Sequence, residues 1–150
     1  MIALARFWSR LSRAWAGGVP GGDADRLRGG RAGERAAARF LRRAGYRVLA
    51  RNVRSRLGEA DLVCLDPDGR TIVIVEVRSR RLSADPAVRA AELPAEASVR
   101  AAKTDQVRRV AAAVQRSNGW LDRPMRLDLV AVEWAGDAPE PEIRHHVNAM

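Results

Sequence analysis

Gly58-Glu59-Ala60-Asp61-Leu62-Val63-Cys64-Leu65-Asp66-Pro67-Asp68-Gly69-Arg70-Thr71-Ile72-Val73-Ile74-Val75-Glu76-Val77-Arg78 is the stretch on which the fold turns. Two β-rich apolar runs, Ala60 to Asp66 and Thr71 to Arg78, flank the turn signal Pro67-Asp68-Gly69, so the segment predicts a hairpin. Asp68-Gly69 is the pair favoured in two-residue type I′ loops, which would set Pro67 opposite Arg70. A four-residue loop from Pro67 to Arg70, with Asp66 opposite Thr71, gives the same register. In either case Asp61 falls opposite Glu76, and only a one-residue slip would part them.

Directly opposed residues share a face, with β-carbons about 5 Å apart. At that separation two carboxylates can hold one divalent cation between them. Left bare they repel, which raises one pKa, so the pair calls for a metal or an arginine. Alternation sets Arg78 on the face of Glu76, and the register sets Glu59 opposite Arg78. Val63, Leu65, Ile72 and Ile74 continue that face as apolar, while Leu62, Cys64, Val73, Val75 and Val77 make the other face apolar too. Both sides of the hairpin are therefore expected to pack under helices. The polar corner reads in two ways: as a metal site, or as an ion-pair cluster in which Asp61, Glu76, Glu59 and Arg78 neutralise one another without metal.

Outward from the hairpin, Ala36, Ala37, Phe40, Leu41 and Ala44 follow the helical period over Arg31 to Ala44, and Gly45 supplies the stop. Glu34 precedes Ala37 and Leu41 along the buried stripe, which points it toward the sheet; its other reading is a favourable interaction with the helix dipole. Tyr46 to Val53 reads as a strand and Ser79 to Ala97 as a mobile loop with room for a helical turn. Ser98 to Ser117 is helical, with Val107, Val110, Ala111 and Val114 on one face. Met125 to Trp134 and Glu142 to Val147 complete the order α-β-β-β-α-β-β, an α/β fold with a single mixed sheet flanked by helices.

Residues 1–30 differ from the rest. Leu4, Phe7, Trp8, Leu11 and Trp15 recur at helical spacing opposite Arg6, Arg10 and Arg13, and Gly17 to Gly22 breaks the pattern, so this is a basic amphipathic tail on a glycine-rich linker. Residues 31–150 form the domain.

The chain has 150 residues, enough for one core of ordinary size. It contains no run of about 18 apolar residues, so no stable membrane insertion is expected. Cys64 is the only cysteine, which excludes an intrachain disulfide and makes the cytoplasm the default location. A formal charge of +9 attracts polyanions, nucleic acid first among them. Lys103 is the only lysine, so the arginine richness also fits a compositional bias. His145 and His146 alternate to opposite faces and cannot share a metal. Trp120 and Trp134, at the ends of a helix and a strand, suit core closure better than base stacking.

With these residues assembled, the chain resembles the YraN-like family of predicted endonucleases, a branch of the restriction-endonuclease-like fold related to archaeal Holliday-junction resolvases. The segments that carry the resemblance are Gly33-Glu34 with Ala37, Phe40, Leu41 and Gly45; Arg51-Asn52 and Arg54; Gly58-Glu59-Ala60-Asp61-Leu62; Val75-Glu76-Val77-Arg78; and Arg126-Leu127-Asp128-Leu129-Val130. They run from about Gly30 to Trp134. The resemblance implies a metal-dependent endonuclease acting on DNA, branched DNA included, with Mg²⁺ or Mn²⁺ held by Asp61 and Glu76 and by Glu34 as an auxiliary ligand. Its Glu-x-Lys motif maps to Glu76 and Arg78. An arginine stays protonated at any working pH, so Arg78 is expected to hold the scissile phosphate rather than act as a base. Ala60 also stands where a proline often precedes the aspartate. Arg31, Arg35, Arg51, Arg54, Arg80, Arg81 and Lys103 are the expected phosphate contacts, which position nucleic acid without reading its sequence.

Two further readings stay open: a catalytically silent nucleic-acid-binding module whose acidic cluster is structural, and an interaction protein whose N-terminal helix docks a partner or membrane, with the core as scaffold. A homodimer is open as well, since two-fold symmetry is common in oligomers and suits cutting paired strands.

Overall fold

A computed structural model describes the backbone of residues 24–98 and 101–149, and the side chains of residues 30–97 and 104–149. The amphipathic stretch over residues 4–15, the linker over 17–22 and the side chain of Lys103 lie outside the described residues. The elements are α1 (Ala24–Arg43), β1 (Arg47–Ser55), β2 (Gly58–Leu65), β3 (Ile72–Leu82), α2 (Pro86–Ala90), a 3-10 turn (Ala95–Ser98), α3 (Ala101–Ser117), β4 (Met125–Ala135) and β5 (Glu142–His146). One five-stranded sheet runs β1-β2-β3-β4-β5. The pairs β1–β2, β2–β3 and β4–β5 are antiparallel and β3–β4 is parallel, the mixed α/β sheet expected.

The one parallel pair explains the long excursion between β3 and β4. A chain returning to start a parallel strand must cross the sheet, which takes a dozen or more residues. Here that crossover carries α2, the 3-10 turn and α3. Val107, Val110, Ala111 and Val114 of α3 pack on Val63, Leu65, Ile72 and Ile74, with Trp120 buried among them. On the opposite face Ala37, Ala38 and Leu41 of α1 pack on Leu62, Cys64, Val73 and Val75. Both faces of the hairpin are therefore covered, as its two apolar sets require. Burial pushes the Cys64 thiol up to about 12, so it is an unreactive packing group.

The register of the hairpin is the expected one: Leu62 pairs Val75, Val63 pairs Ile74 and Leu65 pairs Ile72. The two-residue type I′ loop is replaced by the four-residue alternative. Asp66 N–H donates to Thr71 O at 2.9 Å and Gly69 N–H to Asp66 O at 2.9 Å. The Asp68 carboxylate explains the choice, because it accepts from the backbone N–H groups of Arg70 (2.7 Å) and Thr71 (2.9 Å) and from the Thr71 hydroxyl. Those bonds, the hydroxyl's first, hold it down at about 2. A side chain that caps the loop from within competes with the tighter turn.

Element boundaries also move. Helix α1 starts at Ala24 rather than Arg31, continuing through Gly29-Gly30, a pair that weakens a helix interior and made the start look later. Strand β3 runs to Leu82, so Ser79, Arg80 and Arg81 sit on the sheet and not in a loop. Asp85 caps α2 by accepting from Ala87 N–H at 2.8 Å, with Pro86 in the first turn.

Candidate functional site

The strand pairs of the hairpin end at Leu62–Val75, and the next positions outward are Asp61 and Glu76. Here the ladder gives way to a side chain. Val77 N–H donates to Asp61 Oδ2 at 2.7 Å, which fixes the half-buried Asp61 carboxylate beside the residue that follows Glu76. Glu76 is 2% exposed, and Arg78 Nη2 stands 3.2 Å from Glu76 Oε1. Asp61, Glu76 and Arg78 are thus brought to one corner of the sheet. Glu59 pairs with Arg54 on β1, at 3.2 Å, rather than with Arg78 as expected.

Glu34 reaches this corner from α1, which lies close on β3. A β-carbon on Gly33 would collide with the Ser79 side chain, so glycine at 33 lets the helix approach and carries its neighbour Glu34 inward. Glu34 is held above the usual carboxylate range. Burial is the largest cause, opposed by a hydrogen bond from Asn52 and reinforced by the negative charges of Asp61 and Glu59. Asn52 itself is unusual. It falls opposite Asp61 between the pairs Arg51–Leu62 and Val53–Ala60, and its φ is +50° in the middle of a strand. Left-handed backbone at a non-glycine residue is sparsely populated and concentrates at functional sites. In the sequence Asn52 was visible only as part of a motif; its role as the link between Glu34 and Asp61 was not.

At the strand turn, Gly58 has φ +138°, and a β-carbon there would strike Gln106 of α3. This close approach fixes α3 against the start of β2.

Among the described residues, no group of three or more His, Cys, Asp or Glu side chains converges closely enough to hold a metal. Glu34 therefore senses Asp61 through its field but does not join it and Glu76 in a three-carboxylate set. The donor chemistry of the remaining pair suits Mg²⁺, which takes one or two carboxylates and keeps several waters, better than a cation that needs an all-protein cage.

The basic residues divide. Arg54 is paired with Glu59. Arg80 donates to Leu93 O and lies 3.8 Å from Glu92, and Arg81 donates to Gly136 O with its guanidinium 6.0 Å from the centre of the Trp134 ring. Arg31 and Arg35 are exposed on α1, and Arg51 is half-buried beside them on β1.

Two more polar clusters emerge away from this corner. Asp128, fully buried on β4, accepts from Arg126 Nε (2.8 Å) and Nη2 (3.0 Å) and from Asn148 N–H (2.9 Å), and lies 2.8 Å from His145 Nε2. Arg126 also contacts Asp66 at 2.7 Å and the Tyr46 hydroxyl at 3.0 Å. On the opposite face Arg144 joins Glu133, Glu96 and Glu142, and His146 lies 3.2 Å from Glu96. The two histidines do face opposite ways, but each has an acidic partner that alternation alone does not reveal, Asp128 on β4 for His145 and Glu96 in the 3-10 turn for His146.

A mixed five-stranded sheet, with an acidic corner where its central hairpin opens and arginines on the helix beside it, defines an α/β protein of the kind the motifs implied. The chain belongs to the uncharacterised protein family UPF0102, whose family model matches residues 33–132. That is the YraN-like family to which its motifs pointed. It is 42% identical to a UPF0102 protein of Anaeromyxobacter dehalogenans over 134 residues, covering 87% of this chain and 89% of the relative. It is 45% identical to one of Symbiobacterium thermophilum over 108 residues, 69% of this chain and 80% of the relative. A UPF0102 protein of Geobacter sulfurreducens is 36% identical over 119 residues, 79% and 84% of the two chains. Among the described residues, no helix is long and apolar enough to cross a membrane.

Proposed function

We propose that this protein is a nucleic-acid-binding, Mg²⁺-dependent endonuclease that hydrolyses phosphodiesters in DNA. The observation that carries the reading is the 2.7 Å bond from Val77 N–H to Asp61, which holds one carboxylate at the mouth of the hairpin next to the buried Glu76. Asp61 and Glu76 would hold the cation, and Mn²⁺ would serve in its stead. When bound, it lowers the pKa of a coordinated water and offsets charge developing at phosphorus.

The protein's own part is orientation. Val77 N–H fixes Asp61 beside Glu76 at the mouth of the hairpin, and Asn52 fixes Glu34 at the edge of the same field. Arg78, 29% exposed, can turn one edge of its fork from Glu76 toward a phosphate oxygen, a geometry a planar guanidinium suits.

The experiment is Mg²⁺ and Mn²⁺ titration by calorimetry of the wild type, Asp61→Asn and Glu76→Gln, with cleavage of labelled linear and branched DNA followed in parallel. The expected result is metal binding and cleavage in the wild type and loss of both in each variant. A wild type that takes up no metal and cuts neither DNA refutes the nuclease reading.

One observation favours a second reading, a silent DNA-binding module. Arg78 lies 3.2 Å from Glu76, and an ion pair of this kind neutralises the buried carboxylate with no metal ion. That reading expects salt-sensitive DNA binding without cleavage, unchanged or strengthened in Asp61→Asn.

A further inference from the structure

Helix α1 presents Arg31, Arg35, Arg39 and Arg42 to solvent. Their spacings of four, four and three residues keep them on one face, about 6 Å apart for each four-residue step. The buried side of the same helix is Gly33, Ala36, Ala37 and Leu41, so the arginine row is the outer face and not a packing surface. None of the four forms an ion pair among the described residues, in contrast to Arg54, Arg126 and Arg144. Arg51 joins the row from β1. Its guanidinium is held below the usual value, first by burial and then by the positive charges of Arg42, Arg35 and Arg39, which Glu34 only partly offsets. Concentrated positive charge of this kind attracts a polyanion.

The row also leads somewhere. Arg51 immediately precedes Asn52, which lies opposite Asp61, and Glu34 immediately precedes Arg35 on α1, so the basic face adjoins the acidic corner. We infer that the outer face of α1, Arg31, Arg35, Arg39 and Arg42 together with Arg51, is the track that grips the phosphate backbone of nucleic acid and delivers it to the corner of Asp61 and Glu76. Arg39 and Arg42 become phosphate contacts, while Arg80 and Arg81, already held by Leu93, Glu92 and Gly136, serve the fold. This inference rests on the nucleic-acid half of the proposed function and not on cleavage.

The test uses the full chain in EDTA, with binding of a fluorescein-labelled mixed-sequence duplex followed by anisotropy across a salt series. Four proteins are compared: wild type, the triple variant Arg35→Gln/Arg39→Gln/Arg42→Gln, the triple Arg35→Lys/Arg39→Lys/Arg42→Lys, and Arg80→Gln/Arg81→Gln. Circular dichroism monitors the fold, which exposed glutamines are expected to leave intact because glutamine is a good helix former. Each phosphate contact contributes about 0.9 to the slope of log affinity against log salt, so the glutamine triple should flatten it by roughly 2 to 3. The lysine triple should keep the slope, and the Arg80/Arg81 variant should match the wild type. An unchanged slope in the glutamine triple overturns the track while DNA binding by the wild type leaves the nucleic-acid reading standing. A wild type that ignores DNA, or that prefers phosphatidylglycerol vesicles to it, overturns both. DNA binding lost in the glutamine triple, with no cleavage by the wild type in Mg²⁺, supports the track and removes only the nuclease.

Discussion

Asp128 and Glu34 are both carboxylates drawn out of bulk water at the sheet, and the protein treats them in opposite ways. Around Asp128 burial is the largest influence and would raise its pKa, yet the bonds from His145, Arg126 and Asn148 outweigh it and leave the group below its usual value. Around Glu34 burial also leads, and the bond from Asn52 does not overcome it because Asp61 and Glu59 add to the unfavourable field. A carboxylate surrounded by its own cation and donors is a finished structural unit. One left in a net acidic field is suited to an incoming cation or proton, which is why the Glu34 corner and not the Asp128 network carries the functional reading.

The harshest way to break this comparison is Asp128→Ala. It takes from His145 its carboxylate partner and leaves Arg126, among the described carboxylates, with Asp66 alone, and removing one partner of a buried pair costs about 3–5 kcal/mol. Urea unfolding should register that loss, whereas Asp61→Asn should unfold within about 1 kcal/mol of the wild type. Equal losses at the two sites would mean that the acidic corner is as structural as the network.

Next in size is Gly33→Ala. The new methyl must displace Ser79 or lift α1 from β3, and overpacking of this kind costs about 1–3 kcal/mol. Because Glu34 rides on the same turn, metal heat at the corner should weaken along with stability. An alanine variant of wild-type stability would show that the helix gives way freely.

Much of this was readable beforehand, and the exceptions have physical reasons. The register of β2 and β3 followed from two short apolar runs and a turn, because side-chain alternation leaves little freedom once both faces must be buried. The loop type did not follow, since it depended on which donors the Asp68 carboxylate would find. The start of α2 at Asp85-Pro86 lies in a stretch that lacks a sustained period, so neither alternation nor helical spacing marks it. Asp61, Glu76 and Arg78 could be brought together because they lie within one hairpin. The partnership of Asp128 with His145 and Asn148 joins β4 to the end of the chain, and Asn52 takes a backbone conformation that no side-chain pattern announces. Such contacts are fixed only when the whole sheet closes.

Asn52 allows backbone and side chain to be separated. In Asn52→Ala the left-handed φ is retained without the amide that tolerates it, so strain of about 1–2 kcal/mol joins the loss of the bond to Glu34. Asn52→Gly loses the same bond but adopts φ +50° freely, and should be the more stable of the two by about 1 kcal/mol. Both should weaken metal binding alike if Asn52 acts by holding Glu34. If only the alanine variant is impaired, the residue matters for its backbone alone.

The smallest effect is the one that sharpens the contrast between the two carboxylates most directly. The pKa of Glu34 is raised in the folded protein, so the native state takes up a proton more readily than the unfolded chain. The stability this contributes is fully present below the unfolded value near 4.5 and is lost as pH rises through the higher folded value. Glu34→Gln removes that dependence, because a neutral amide has no charge to desolvate or to set against Asp61 and Glu59. Relative to the wild type the variant should therefore gain stability between acid and neutral pH, by on the order of 0.5 kcal/mol for a half-exposed group. Asp128 has the opposite sign: its lowered pKa contributes stability above the unfolded carboxylate value that is lost as pH falls through the folded one. Thermal unfolding from pH 4 to pH 7 reads both slopes. A Glu34→Gln protein that loses stability relative to the wild type on going to neutral pH would mean that the charged carboxylate is favourably placed, and Glu34 would then belong with Asp128 as part of the scaffold.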